Sequence, residues 1–400
     1  MHHCRVASSH SDDWMRARIL HLLNTLGPGG MEQGVVKVVN GLRNEFAFSV
    51  CCLDAKGALA ECLPAEVAVY ELRRQPGKNA RIARAVRRLI KREGADIVHT
   101  HSFGCHFYAV SASVGTSAAV IAGEHGDLYT LHPQKKYAIL RRLLACRTAL
   151  FQTVSETMRN DLIRCAGIPA RKVRAIPNGV DTARFAPADP CACRRKLNLP
   201  EDAVLLGLVG RLNPVKRFDM MVRILPLLRR RCEKVAVVLV GDGEERERLR
   251  ELSEGTGCAE RVFFLGYRTD MESIYPALDL LVHPSRSEGM SNVMLEAMSC
   301  GVPVVASDIP AHGELISDGD NGFLFSANSG EALLGRLAQI LSEPELRVRV
   351  GAQARKSVEA RFRLETMVEG YRRLYRQIAE GLNARERSSV RCQSERGGRF

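Results

Sequence analysis

At 400 residues the chain exceeds one ordinary core, so two domains are expected, and 46% hydrophobic with 26% charged residues excludes an intrinsically disordered protein. A net charge of +13 admits nucleic acid, an anionic membrane surface or anionic small molecules as partners. The 13 cysteines are odd in number and scattered, with no Cys-x-x-Cys pair or zinc-type cluster, which points to reduced thiols and away from a disulfide framework or zinc site.

Residues 1–16 are polar and expected to form a disordered tail, without the apolar core of a signal peptide. No run reaches membrane-spanning hydrophobicity; Phe107 to Gly123 comes nearest but is rich in small residues, so a cytoplasmic protein is expected. A first domain is placed at 17–185. Arg18 to Leu23 reads as a strand, and Gly27-Pro28-Gly29-Gly30 opens a helix carrying Val35, Val39 and Leu42. Such a turn exposes backbone amides to anions, although it is not a Gly-x-Gly-x-x-Gly dinucleotide fingerprint.

Strand-like runs recur at Phe46 to Leu53, Val67 to Leu72, Asp96 to Thr100, Ala119 to Gly123 and Ala149 to Val154, interleaved with helical patterns. The alternation predicts an α/β fold with a doubly wound parallel sheet. Two basic amphipathic stretches, Arg81 to Arg92 and Lys135 to Arg147, read either as surface helices with one buried face or as segments that lie on anionic lipid. Glu124-His125-Gly126 follows directly on a strand, which places His125 at its carboxyl edge.

Residues 186–199, with Pro187 and Pro190, read as a linker, and a second domain is placed at 200–361. It starts with the strand Val204 to Gly210. Arg211 and Lys216 then stand at a strand-to-helix junction, where an arginine fork and a lysine point charge can clamp a pyrophosphate. Val235 to Val240 leads to Gly241-Asp242-Gly243, with Arg246 where a dinucleotide dehydrogenase would carry glycine. Val262 to Arg268 is a strand plus loop. The segment Asp279 to Asp308 reads as strand, loop, short helix and strand. It places Glu288 in the loop and Glu296 inside the helix, with Ser291 and Asn292 as capping candidates. Asp318-Gly319-Asp320 sits in a turn and is rejected as a metal site. A terminal helix is expected over 362–383 and a disordered Arg-rich tail over 384–400.

Glu288-x7-Glu296 followed by Gly301-Val302-Pro303-Val304-Val305-Ala306 resembles the signature of retaining glycosyltransferases of the GT-B fold, family-four type. Gly29-Gly30-Met31-Glu32, Thr153-Val154-Ser155-Glu156, Ile176-Pro177-Asn178-Gly179 and Gly210-Arg211-Leu212 with Lys216 are similar to further segments of that family. The resemblance spans Arg18 to Ile378 and implies two Rossmann-like domains facing a cleft, with the terminal helix crossing back to the first. It further implies a nucleotide-diphosphate sugar as donor, and it makes Arg211 and Lys216 phosphate ligands. Glu288 and His125 would contact the transferred sugar, Glu296 the ribose, and Tyr267 and Arg268 the base. The amides of Gly29, Gly30, Gly289, Met290, Ser291 and Asn292 would lie near phosphate or sugar. Where the family has Gly-Phe-Gly after the first Glu, this chain has Gly289-Met290-Ser291.

The resemblance points to hexosyl transfer in exopolysaccharide assembly, onto a glycan or lipid-linked acceptor. It also points to peripheral contact with the inner face of the cell membrane and no metal or other cofactor. A sugar-nucleotide epimerase or phosphorylase on the same fold is the alternative. A nucleic-acid-binding protein is remote, because the basic residues do not alternate with exposed aromatics and aromatic content is 6%.

Overall fold

Short runs of β-branched and aliphatic residues bounded by glycine and polar turns form the strands of two parallel sheets. The computed structural model describes residues 17–75, 80–126 and 135–397, by backbone alone at Lys135 and from residue 385 onward. The chain divides into two compact units. One holds residues 1–154, 158–176 and 367–400, the other 155–157 and 177–366. The tail expected over 1–16 lies outside the described residues.

In the first unit seven strands, β1 (Arg18–Leu23), β2 (Ala47–Cys52), β3 (Ala68–Glu71), β4 (Ile97–Thr100), β5 (Ala119–Glu124), β6 (Thr148–Thr153) and β7 (Val173–Ala175), form one sheet in the order β3-β2-β1-β4-β5-β6-β7. Every pairing is parallel. The order reverses at β1/β4, the switch point at which open α/β sheets leave a crevice beyond their strand ends. Helices α1 (Gly30–Leu42), α2 (Ala80–Glu93), α3 (Phe103–Ser113), α4 (Lys135–Leu144) and α5 (Glu156–Arg164) belong to this half of the chain. The inward face of α2 buries Ile82, Val86, Leu89 and Ile90 in one core cluster with Leu20, Val98 and Tyr108.

The terminal helix runs Leu364–Gly397, longer than the expected 362–383, and residues 384–397 of the stretch expected to be disordered are backbone helix. No proline interrupts it, and its Arg, Glu, Ala and Gln residues are good helix formers. Tyr371, Leu374 and Tyr375 are buried, and Tyr375 packs edge-on against Phe46 and Phe48. Each such side chain contributes about 1.5–3 kcal/mol by leaving water. Arg372 and Arg376 both donate to the Glu45 carboxylate, fixing the helix along its length.

The second unit repeats the design. Strands β8 (Val204–Val209), β9 (Val235–Val240), β10 (Val262–Gly266), β11 (Leu280–His283), β12 (Val304–Ser307) and β13 (Phe323–Phe325) form a parallel sheet in the order β10-β9-β8-β11-β12-β13. Nearly continuous apolar strands such as Val235–Val240, buried at all positions, are what a sheet covered on both faces requires.

The stretch expected as a linker at 186–199 instead contains helix α6 (Pro190–Leu197). Asp189 caps it by accepting from the Cys191 amide at 3.0 Å, and Pro190 takes the first position, where its missing N–H costs nothing. Its Arg194 is buried. The guanidinium donates to the carbonyls of Ala277, Glu201 and Ala203 and to Asp279 Oδ2 at 2.7 Å, and that carboxylate also accepts from the Leu205 amide. Asp279 immediately precedes β11, so this network anchors the strand that carries the site.

Candidate functional site

In the second unit the loop after β8 is shaped by close backbone approach. A Cβ on Gly241 would fall 2.0 Å from the Gly210 carbonyl oxygen, and Gly241 has φ +132°, so only glycine lets the two loops pack. Within this loop Lys216 donates its amide to the Asn213 carbonyl and side-chain oxygens, and the helix α7 (Phe218–Arg229) starts two residues later. Arg211 stands exposed on the same loop.

Lys216 Nζ donates to Glu288 Oε1 at 2.5 Å, and His283 Nε2 lies 3.1 Å from the same oxygen. The three therefore meet on one carboxylate oxygen, with the Lys216 and Glu288 side chains 17% and 14% exposed and His283 fully buried. Burial pushes the Glu288 carboxyl up, but the Lys216 ammonium and the His283 hydrogen bond outweigh it and hold the group well below the usual carboxylate range. His283 itself is kept neutral by burial, with Glu288 opposing the shift.

Ser285 and Ser291 hydroxyls lie 3.3 and 3.2 Å from His283 Nε2. After helices α8 (Arg246–Gly255) and α9 (Met271–Ile274), Ser291 also caps helix α10 (Asn292–Ser299), accepting from the Met294 amide. Arg286 donates its amide to the Val215 carbonyl, joining the two loops. His312, neutral with its pKa lowered to about 3 by burial, places Nδ1 2.7 Å from the Ser307 carbonyl, so that nitrogen carries the proton.

Lys216 and Glu288 are thus brought together, with Gly289, Met290, Ser291 and Asn292 following Glu288 into the start of α10. Met290, at the position where the sequence departs from the expected pattern, is buried. Its sulfur and carbonyl receive the backbone and side-chain amides of Asn178, both at 3.2 Å. Glu296 is buried on α10 and accepts from the Tyr275 hydroxyl at 2.7 Å. Tyr267 is 54% exposed just past β10, whereas Arg268 forks onto Asp270. Asp318 is tied to Arg336 and the Leu324 amide within its turn.

Sequence reasoning passed over His283, Tyr275 and His312. A histidine closing the apolar run Leu280–His283 was the available signal.

In the first unit Gly29 caps α1, and the Glu32 carboxylate folds back so far that a Cβ on Gly29 would meet it at 2.2 Å. The helix start thus already holds the chain's own anion, as its exposed amides favour. His125 lies one residue past β5, with its pKa lowered to about 4 by burial and Nε2 3.0 Å from His101 Nδ1. The preceding Glu124 forms a buried ion pair with Arg141 of α4 at 2.8 Å, so Arg141 does not belong to the exposed basic face expected for that helix.

Two family models match the chain: "Glycosyl transferases group 1" over residues 192–357 and "Glycosyltransferase Family 4" over residues 28–184. The chain is 30% identical over 377 residues to a GDP-mannose-dependent alpha-(1-6)-phosphatidylinositol monomannoside mannosyltransferase of Mycobacterium tuberculosis, covering 88% of this chain and 96% of that protein. It is 29% identical over 307 residues to the putative glycosyltransferase EpsD of Bacillus subtilis, covering 72% and 78%. Among solved structures, Anabaena HepE in complex with UDP-glucose has a TM-score of 0.79 at 25% identity, covering 92% of this chain and 99% of that one. A sucrose-phosphate synthase from Thermosynechococcus elongatus shares the fold, with TM-score 0.80 at 19% identity and 91% and 100% coverage.

Proposed function

The chain belongs to the glycosyl transferases group 1 family, and on that premise we propose that it moves a hexose from a nucleotide-diphosphate sugar to a glycan or lipid-linked acceptor with retention of anomeric configuration. The observation that carries this reading is the convergence of Lys216, Glu288 and His283 on one carboxylate oxygen beside the loop of Arg211. Lys216 and Arg211 neutralise the charge that grows on the departing diphosphate, a task otherwise given to a divalent metal, so the reaction needs none. Glu288, held ionised, directs its other oxygen to a donor hydroxyl. The amides of Gly29 and Gly30, once the Glu32 carboxylate swings away from them, and those of Gly289 to Asn292 approach phosphate and sugar, Glu296 takes the ribose, Tyr267 and Arg268 the base side, and His125 the transferred sugar.

A carboxylate pinned by an ammonium and an imidazole is a poor nucleophile. That favours attack on the face the diphosphate leaves over a covalent glycosyl-enzyme intermediate. The similarity to a mannosyltransferase that acts on a phosphatidylinositol monomannoside supports a lipid-linked acceptor, and the sequence motifs favour exopolysaccharide assembly as the setting.

The acceptor side carries a membrane reading on its own observation. Helix α4 exposes Ile139 and Leu143, 62% and 65% accessible, one helical turn apart and flanked by the exposed Lys136 and Arg142. No helix among the described residues is long and apolar enough to cross a bilayer, so contact would be peripheral, at the inner face of the cell membrane. Helix α2, more basic than α4, exposes no large apolar side chain among its described residues and reads as an ordinary surface helix.

A thermal-shift screen against UDP- and GDP-sugars tests the donor, since a ligand that binds only the folded state raises Tm by an amount that grows with the logarithm of its concentration over Kd. The anomeric coupling of the product by NMR tests retention. Absence of any nucleotide-sugar shift, or donor turnover without acceptor, would overturn the transferase reading. Wild-type protein that ignores anionic vesicles at low salt would overturn the membrane reading.

A further inference from the structure

Four histidines gather at the switch point of the first sheet. His21 on β1 is the register partner of His99 on β4, and His101 lies two residues beyond His99, on the same face. His21 Nδ1 is 2.8 Å from His101 Nε2, and His101 Nδ1 is 3.0 Å from His125 Nε2, so three imidazoles form one hydrogen-bonded row. His99 stands beside it, with Nδ1 2.9 Å from the Tyr375 hydroxyl. Three of the four are 0–5% exposed.

His21, His99 and His101 have nitrogens close enough to hold a metal ion, but the spacing argues against one. Two nitrogens at about 2.0–2.1 Å from a tetrahedral ion stand roughly 3.4 Å apart, whereas 2.8 Å is hydrogen-bond distance.

A neutral imidazole has one N–H and one lone pair, so His101 must donate from one nitrogen and accept at the other. Both bonds in the row therefore point the same way. If they ran toward His21, its Nε2 would carry a hydrogen, and that atom is buried without a partner among the described residues. Running toward His125 leaves only a lone pair there, and orphaned buried N–H groups are rarer than under-satisfied acceptors.

We propose that His101 is a positioning residue that donates from Nδ1 to His125 Nε2 and so holds His125 as the neutral Nδ1–H tautomer, a hydrogen-bond donor and not a base. Burial keeps the row uncharged: His21 is lowered to about 3 and His101 well below its ordinary value, with the neighbouring histidines adding to the shift of His101. A donor of this kind matches an oxygen of the sugar assigned to His125 above, and the inference rests on that assignment only for its effect on turnover.

The test is long-range 15N–1H NMR of histidine-labelled full-length protein, which reads the tautomer without activity. His125 should show a protonated Nδ1 and a bare Nε2 in wild type. In His101→Leu it should become a tautomer mixture, with a fall in kcat on the order of tenfold, the worth of one hydrogen bond. His101→Asn, whose amide can reach the Nδ1 position, should restore both. An Nε2–H tautomer of His125 in wild type, a spectrum unchanged in His101→Leu, or stoichiometric metal in the purified protein would overturn the proposal. If His125→Ala transferred sugar normally, the role of His125 would fall while the NMR result still decided the tautomer.

Discussion

Acidification from pH 7.5 to pH 5 is expected to destabilise the first unit by at least about 6 kcal/mol through its buried histidines, counting His21, His106 and His125 alone, since His99 and His101 shift in the same direction. Burial lowers His21 and His106 to about 3 and His125 to about 4, against roughly 6.5 for an unfolded histidine. Above pH 6.5 neither state binds the proton and the contribution is complete. Between pH 6.5 and the folded values the unfolded chain takes up protons that the folded chain refuses, so stability falls as pH falls. At pH 5 each side chain costs about 1.5 pH units at about 1.36 kcal/mol per unit, or about 2 kcal/mol, and three give the stated sum. His312, lowered to about 3, adds about 2 kcal/mol in the second unit. Carboxylates do not confound this window, because unfolded Asp and Glu titrate near 4. Since a domain is stable by about 5–15 kcal/mol, the loss is a large fraction of the whole. Urea unfolding followed by far-UV circular dichroism at half-unit steps of pH measures it, and the slope below pH 6 should reach at least about 4 kcal/mol per unit. A free energy of unfolding that is flat between pH 7.5 and 5 would show that these imidazoles are solvated or already charged.

Lys216→Ala removes the ammonium that offsets the burial of Glu288. Its carboxyl pKa should rise, moving the acid limb of the activity profile to higher pH, while turnover drops by orders of magnitude; a profile unchanged in position would contradict the pairing. Gly123→Ala would place a methyl 2.6 Å from the Thr100 carbonyl oxygen and 3.0–3.2 Å from His125 Nε2 and His99 Nε2. A loss of about 1–3 kcal/mol in urea unfolding is expected, and wild-type stability would mean the strands part more easily than their packing implies. Arg194→Ala leaves the Asp279 carboxylate without its guanidinium and three carbonyls without their donor, at a cost of about 3–5 kcal/mol; a change below 1 kcal/mol in the same assay would mean water replaces it.

Both sheets were legible because their strands are apolar runs bounded by turn residues: Val204–Val209, Val235–Val240 and Leu280–His283 lie where periodicity puts them. Three-residue β7 was not, since so short a segment has no period to read. Helix α6 was hidden by its prolines, which signal a break in the chain yet equally a first helical turn. The acid and base of the second unit could be named from the motif. The neutral side chains that steady them could not, because His283, Tyr275 and the row from His21 to His125 are assembled by strand register and acquire meaning only in three dimensions.

The discontinuity of the first unit constrains the order in which the chain matures on the ribosome. Residues 177–366 form one uninterrupted block that has everything it needs once emerged, whereas the earlier-made sheet still lacks Tyr371 and Tyr375 against His99, Phe46 and Phe48. The half synthesised first is therefore the half completed last, and a nascent chain stalled near residue 366 would present an uncovered aromatic surface to chaperones.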